Sequence, residues 1–352
     1  MDITPFSPMK LLRHAPQIEK MLAGGVVYPI SVEIDLANVC NHNCPWCSFN
    51  GFRQQNWVHF PETRIVRLID ELAECGVQSI TFTGGGEPLV HHAAAKVFRQ
   101  AHDRGIEFGL VTNGRRLQGD VLDALKAAKF VRVSLDAGQP QTHQLLHGTA
   151  TPEFERILSN MATLRRTAGP SVTIGASFCV FDVNVNEIGM ASERVKAAGG
   201  NYLEVRPVFP TEWRGGGFGN PLTEAHVDEA RRSLELARTT YDGGGFRVLG
   251  MIARFDQVFN RTKHYSKCQI GPLTTVINAD GNIYHCCQQR GMHDFRAGNI
   301  LDKPFKEAWL STAHREMIDR IDVQKCPPCR YDGFNALIAE AFERDGMHAK
   351  FL

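Results

Sequence analysis

Asn38-Val39-Cys40-Asn41-His42-Asn43-Cys44-Pro45-Trp46-Cys47 stands directly after an apolar, strand-like stretch at 31–36. Its cysteines are spaced C-x3-C-x2-C. Three closely spaced thiolates can hold three irons of a [4Fe–4S] cluster, whereas four close every iron, as in electron-transfer clusters. A missing fourth ligand leaves one iron open to a substrate or cosubstrate, as an open coordination position separates catalytic from structural metal sites. Zinc is the competing reading, with His42 as a fourth ligand, but zinc sites favour paired C-x2-C groups.

Outward from this run, the chain alternates short apolar runs with amphipathic helical stretches as far as residue 210. Strands are expected at 31–36, 79–83, 107–112, 130–135, 172–180 and 202–208. Helices are expected near 62–75, 91–104, 119–128, 152–167 and 186–198. Gly76, Gly105 and Gly199 follow three of them, the residue type favoured just past a helix C-terminus. Regular alternation implies βα units and a parallel sheet. Six units are too few for a closed eight-stranded barrel and suit an open one, with sites at the C-terminal strand ends. The expected fold is therefore α/β: a partial (β/α)6 TIM-like barrel with a small C-terminal module of β-hairpin plus helix.

The expected boundaries are an N-terminal extension at 1–30, the barrel at 31–210, a linker or insertion at 211–267, and a cysteine-rich module with a C-terminal helix at 268–352. The linker holds a glycine-rich stretch at 213–220 and a helix at 223–241. In the module, Ala279-Asp280-Gly281 separates apolar runs at 273–278 and 282–285, and Asp-Gly in that setting is a strong hairpin signal. Helices are expected at 304–318 and 335–343.

The 352 residues are 43% apolar and 22% charged, as in a globular protein with a sizeable core. A formal net charge of +1 gives no electrostatic case for nucleic acid or a membrane surface. No stretch reads as a secretory signal or approaches the roughly 20 apolar residues of a membrane span. The expected location is the cytoplasm, where ten cysteines suggest metal rather than disulfides. Eight of them fall in two groups: Cys40, Cys44 and Cys47, then Cys268, Cys286, Cys287, Cys326 and Cys329. Cys75 and Cys179 stand apart in apolar segments and read as buried structural thiols.

Further motifs follow successive strand ends: Thr83-Gly84-Gly85-Gly86-Glu87-Pro88, then Thr112-Asn113-Gly114, then Ser134-Leu135-Asp136. In this order, and with aromatic Trp46 before Cys47, residues 31–210 resemble the radical S-adenosylmethionine (SAM) superfamily. The resemblance implies that Cys40, Cys44 and Cys47 hold a cluster whose open iron is chelated by the amino and carboxylate groups of SAM. One electron, from an external donor such as flavodoxin or ferredoxin, then yields a 5′-deoxyadenosyl radical that abstracts hydrogen from substrate. The resemblance assigns Gly85, Gly86 and Glu87 to the SAM amino group, and Asn113, Ser134 and Asp136 to the SAM pocket. Glycines let a backbone approach a ligand closely. They also serve any tight turn, and Ser134 and Asp136 could be polar turn caps. Arg206, in Glu204-Val205-Arg206-Pro207, could grip a carboxylate or substrate, or pair with Glu204. One departure stands out: relatives often carry Arg-Gly in the fourth-strand loop, here His147-Gly148. His143 and His147, four apart on one helix face, could contact substrate or be solvated, and solvation is the favoured reading.

Cys268, Cys286, Cys326 and Cys329, with the hairpin turn, Gly298-Asn299-Ile300 and Ala308-Trp309, resemble the shortened SPASM, or twitch, module. That implies one auxiliary [4Fe–4S] cluster, hence two in the chain. A zinc ribbon would carry C-x2-C in both halves, and the first half here does not. The family's ligand falls five residues after the hairpin glycine, which picks Cys286. Cys287 then points into the core or towards the active site, where its thiol could return hydrogen. The favoured reaction is oxidation of a carbinol to a ketone on a small polar substrate, such as a sugar, aminocyclitol or nucleoside of natural-product biosynthesis. Epimerisation, decarboxylation and peptide maturation, by thioether formation or epimerisation, are the alternatives. Only some 30 residues precede the first strand, so no leader-peptide-binding module is expected.

Overall fold

Ten strands form one open sheet, and their order carries the second cysteine group to the first. The computed structural model describes residues 7–209, 221–250, 252–260 and 262–343, so the glycine-rich 213–220 lies outside the described residues. The strands are β1 (Ser31–Asp35), β2 (Ser79–Thr83), β3 (Glu107–Thr112), β4 (Phe130–Ser134), β5 (Thr173–Val180), β6 (Tyr202–Pro207), β7 (Arg247–Gly250), β8 (Thr274–Ile277), β9 (Asn282–Tyr284) and β10 (Arg296–Asn299). Their spatial order is β10-β9-β8-β1-β2-β3-β4-β5-β6-β7. Every pair from β8 to β7 is parallel, and β9 and β10 continue antiparallel.

The helices are α1 (Ala15–Leu22), α2 (Asn50–Gln55), α3 (Glu62–Glu74), α4 (Ala94–Asp103), α5 (Asp120–Ala124), α6 (Pro140–His147), α7 (Glu153–Ala168), α8 (Ile188–Ala197), α9 (Glu224–Tyr241), α10 (Ile252–Asp256), α11 (Phe305–Trp309), α12 (Thr312–Asp319) and α13 (Asp332–Ile338). The barrel helices cover the sheet with apolar stripes. In α3, Ile65, Leu68, Ile69 and Leu72 are all buried, the i, i+3, i+4, i+7 pattern of one helix face. Phe98 of α4 meets Phe82 of β2 with ring centroids 4.8 Å apart. Burying such a side chain contributes about 1.5–3 kcal/mol.

Three features depart from the sequence expectation. First, residues 211–267, expected as a linker, supply α9 and β7, which extend the barrel. Thr223 caps α9 by accepting the His226 N–H, and Val227, Ala230, Leu234 and Ala237 form its buried stripe. β7 pairs parallel with β6, Tyr202 opposite Arg247. Four residues, after glycines 243–245 at positive φ, are too few to announce a strand by alternation. Second, 304–318 forms two helices, because the Ser311 hydroxyl accepts from His314 N and starts α12 afresh. Third, the hairpin is no separate lobe: β8 lies beside β1, with Ser31 opposite Thr274 and Ile34 opposite Ile277. The N-terminal extension packs over this join. Leu11 and Ile18 share a small core with Ile270, Leu273 and Ile338.

Candidate active site

The cysteine loop leaves β1 and is held by the glycine run that follows β2. Gly86 N–H donates to Ala37 O at 3.0 Å and Glu87 N–H to Val39 O at 2.8 Å. A Cβ on Gly86 would sit 2.1 Å from Val39 O, and one on Gly85 2.6 Å from Asn38 Oδ1. Glycine is therefore required here by the approach of the loop itself. The buried Glu87 carboxylate accepts from Thr112 Oγ1 at 2.6 Å, Asn113 N at 2.8 Å and Leu89 N at 3.0 Å. It ties the ends of β2 and β3 together. Asn113 in turn donates to Asn41 Oδ1 at 2.7 Å. Within the loop, Cys47 N–H donates to Cys44 O at 3.2 Å, so the last two cysteines share one turn. Burial, and then Glu87, push the Cys40 thiol up to about 12. It would become a thiolate only against positive charge, such as that of an iron cluster.

His143 and His147 are not solvated, contrary to expectation. Both are buried, and their rings stack with centroids 4.3 Å apart. The face of α6 that carries them lies against the cysteine loop. His147 O accepts from Asn43 N at 3.1 Å, and a Cβ on Gly148 (φ 59°) would meet Asn43 O at 2.2 Å. His147 Nδ1 lies 3.6 Å from Cys44 Sγ and 3.4 Å from His42 Nδ1, while its Nε2 lies 3.3 Å from Asp136 Oδ2. Burial alone would lower the His147 pKa, but Cys44 and Asp136 raise it to about 10. Burial, then the neighbouring His147, lower His42 to about 3 and His143 to about 2. Sequence spacing had no means of showing a contact across 103 residues.

Asp136, expected in the SAM pocket, is fully buried. One carboxylate oxygen accepts from Cys179 N at 2.8 Å and the other faces His147. It stands at φ 53°, where a non-glycine residue is uncommon. Ser134 ends β4, half-buried, opposite Ser177.

A cavity of about 280 Å3 opens at the C-terminal strand ends. Trp46 and Gly84 bound it, as do Cys179 and Arg206, and Cys287, Gln288 and Pro327 of the cysteine-rich module. Arg206 does both things its sequence position allowed: it lines this cavity and lies 3.8 Å from Glu204. Its Nε also lies 3.4 Å from Cys179 Sγ. Cys179 is buried, as expected, and burial pushes its thiol up to about 11.

The adjacent cysteines of the module part company. Cys286 lines a second, small cavity of about 30 Å3 together with Cys268, Cys326 and Cys329, while Cys287 faces the larger one. Ile270, Ile321 and Val323 give the small cavity apolar walls. Burial raises all four thiols, Cys268 to about 11. Four converging sulfurs in a dry pocket fit a cluster closed to ligands but open to electrons. Polar groups also reach these sulfurs: His285 Nε2 lies 3.3 Å from Cys268 and Gln289 Nε2 3.9 Å from Cys326, and Tyr331 N–H donates to Cys329 Sγ at 3.3 Å.

A barrel with an open three-cysteine site and a closed four-cysteine site defines a radical enzyme with an auxiliary iron–sulfur module. The chain matches the radical SAM superfamily over residues 34–193 and the SPASM iron–sulfur cluster-binding domain over residues 268–331. It belongs to the radical SAM superfamily, and its cofactors are SAM and two [4Fe–4S] clusters. The AdoMet-dependent heme synthase of Methanosarcina barkeri is 26% identical over 324 residues, covering 86% of this chain and 89% of that protein. The mycofactocin maturase MftC of Mycolicibacterium smegmatis is 24% identical over 343 residues, covering 91% and 80%. The fold is shared with SuiB of Streptococcus suis bound to SAM, at a TM-score of 0.68 and 13% identity, over 90% of this chain and 74% of that one. No helix among the described residues is long and apolar enough to cross a membrane.

Proposed function

We propose that this enzyme removes a hydrogen atom from a small polar substrate in the barrel cavity and oxidises it, a carbinol carbon becoming a ketone. One observation carries the reading: a single cavity touches both the cysteine loop, at Trp46, and the module, at Cys287 and Pro327. Cys40, Cys44 and Cys47 would hold the first cluster, and Cys268, Cys286, Cys326 and Cys329 the second. Gly85, Gly86, Glu87, Asn113 and Ser134 would surround SAM, with Asp136 behind them holding His147. When bound, these groups supply the electron that cleaves SAM, the radical that takes hydrogen, and an acceptor for the electron that the substrate radical sheds with its proton. An external donor such as flavodoxin or ferredoxin would deliver the first electron. Trp46, Phe49, Pro207 and Val208 give one side of the cavity an apolar lining. About 280 Å3 is near the lower end of small-molecule sites.

Peptide maturation is the second reading. MftC is named a maturase, and SuiB is also known bound to its precursor peptide SuiA. A peptide side chain or chain terminus would fill the same space. Incubation of the reconstituted enzyme with deuterated sugars, aminocyclitols, nucleosides and peptides separates the readings. Deuterium should pass from a carbinol carbon into 5′-deoxyadenosine, with a product lighter by two hydrogens. A product of unchanged mass would mean epimerisation, with Cys179 or Cys287 returning hydrogen. Transfer from peptides alone would defeat the small-molecule reading.

A further inference from the structure

We infer that the substrate carries a carboxylate and that Arg206 and Arg254 receive it. This deepens the proposed function and takes from it only the identity of the substrate cavity. Five arginines line that cavity: Arg132, Arg206, Arg254, Arg290 and Arg330. Three buried carboxylates answer them: Glu33, Asp35 and Glu204. Arg290 lies 3.1 Å from Glu33 and 2.8 Å from Asp35, and Arg330 also reaches Glu33. Arg132 takes Glu204 at 2.6 Å. Arg206 is left with the longer 3.8 Å contact to that same Glu204. For Arg254, no carboxylate lies within ion-pair distance among the described residues. Arg254, on α10 beyond β7, is therefore left without a close carboxylate, beside an Arg206 that shares Glu204 with Arg132.

The cost of this arrangement points to an anion. Burial, and then the like charge of Arg206, lower the Arg254 pKa. A guanidinium cannot shed its proton to escape, and the half-buried Arg254 and Arg206 side chains keep part of their charge open to an anion in the cavity. Among the described residues, the buried Arg254 Nε has no hydrogen-bond partner. The Phe209 ring centroid lies 4.9 Å from the Arg254 guanidinium carbon. Two planar guanidinium groups suit the flat, two-oxygen face of a carboxylate. Sugar acids, amino acids and peptide C-termini fit this site, and neutral sugars and aminocyclitols do not.

SAM has a carboxylate too, so the chemistry has two sources. Arg254 also lines an adjoining cavity of about 300 Å3 together with Arg330, Tyr331 and Phe334 of the module, which places it on the module side and favours the substrate. The test is calorimetric titration of SAM-saturated, reconstituted holoenzyme with tricarballylate, with its neutral triamide and with inorganic phosphate. Tricarballylate should bind at least about tenfold tighter than either control, the ratio expected for one charge-assisted hydrogen bond. Arg206→Gln and Arg254→Gln should each lose about tenfold, and Arg254→Lys should recover part of it. Glu204→Gln should tighten binding, a change of sign that a merely structural role would not produce. Iron content reports the folding of each variant. Equal binding of the triamide or phosphate would overturn the inference. So would a SAM affinity about tenfold weaker in Arg254→Gln, which would assign the pair to SAM. Because tricarballylate has no carbinol to oxidise, its binding tests this site alone; a hydroxy acid that binds as tightly yet yields no ketone would sink the proposed reaction and leave this site standing.

Discussion

The two cysteine sites differ less in their sulfurs than in the space around them. Cys40, Cys44 and Cys47 lie in a loop beside polar groups, Glu87, Asn113 and His147, and next to a cavity of about 280 Å3 bounded by Trp46. Cys268, Cys286, Cys326 and Cys329 surround only about 30 Å3, with apolar walls. Room beside a metal site permits chemistry on a ligand, and its absence leaves only electron transfer. The sheet makes the pairing possible. β8 lies against β1, so the strand that launches the first loop is also the neighbour of the module that holds the second site.

The largest effect should come from breaking each site in turn. Cys40→Ala should abolish 5′-deoxyadenosine formation, while paired loss of Cys326 and Cys329 should spare SAM cleavage and block the oxidised product. Each change should lower iron from about eight to about four per chain, since each [4Fe–4S] cluster holds four. Anaerobic iron analysis and product chromatography check both. Normal product from the Cys326 and Cys329 variant would end the electron-acceptor role.

A second change tests the joint between the sites. Arg290 follows Cys287 and reaches into the barrel to pair with Glu33 and Asp35 on β1. Arg290→Gln leaves two buried carboxylates short of their cation and should cost about 3–5 kcal/mol in urea unfolding. Burial raises the Asp35 pKa, with Arg290 opposing that rise. A carboxyl with a folded pKa above its unfolded value loses stability as pH rises through and beyond the unfolded value, about 3.9 for aspartate. Without Arg290 that window widens upward, so the deficit should grow from acid towards neutral pH. A pH-independent deficit would mean that Arg290 acts by packing alone, through the Phe49 ring 4.8 Å beneath it.

Close packing supplies a third, smaller test. Gly86→Ala places a methyl carbon 2.1 Å from Val39 O, a backbone atom that can move only with the cysteine loop. It should cost about 1–3 kcal/mol and lower the iron retained by the first site while the second stays full. Equal loss from both sites would show that the glycine run supports the whole barrel rather than the loop.

What could be read beforehand was whatever repeats locally or sits in a short motif. Strands 79–83 and 107–112 match β2 and β3 because alternation and a preceding helix-ending glycine mark them. The cysteine spacings, the glycine run and the Asp-Gly hairpin are equally local. Three things were not legible. β7 is too short to show a period, the join of β8 to β1 links segments more than 240 residues apart, and the arginine surplus needs side chains from several separate elements. His143 and His147 misled for a related reason. A helix face with two histidines looks wet until the loop that covers it is known.

The finest distinction lies between neighbours in sequence. Cys286 and Cys287 are adjacent in the stretch that follows β9, yet they face the 30 Å3 and the 280 Å3 cavities respectively. Both lie in a turn in which Gln289 N–H donates to Cys286 O at 3.1 Å, and the turn sends the two neighbouring side chains to different cavities, so a shift of one residue would exchange the thiol that meets the cluster. Cys286→Ser should lose about four irons per chain, as removal of any ligand of a four-cysteine cluster would. Cys287→Ser should keep its iron, because its sulfur is not among the four that converge. Its effect should appear instead in the product, as a changed ratio of oxidised to mass-unchanged substrate if the thiol meets the substrate radical. Loss of iron from Cys287→Ser would reverse the register, and the comparison between an open and a closed site would then have to be drawn with Cys286 facing the substrate.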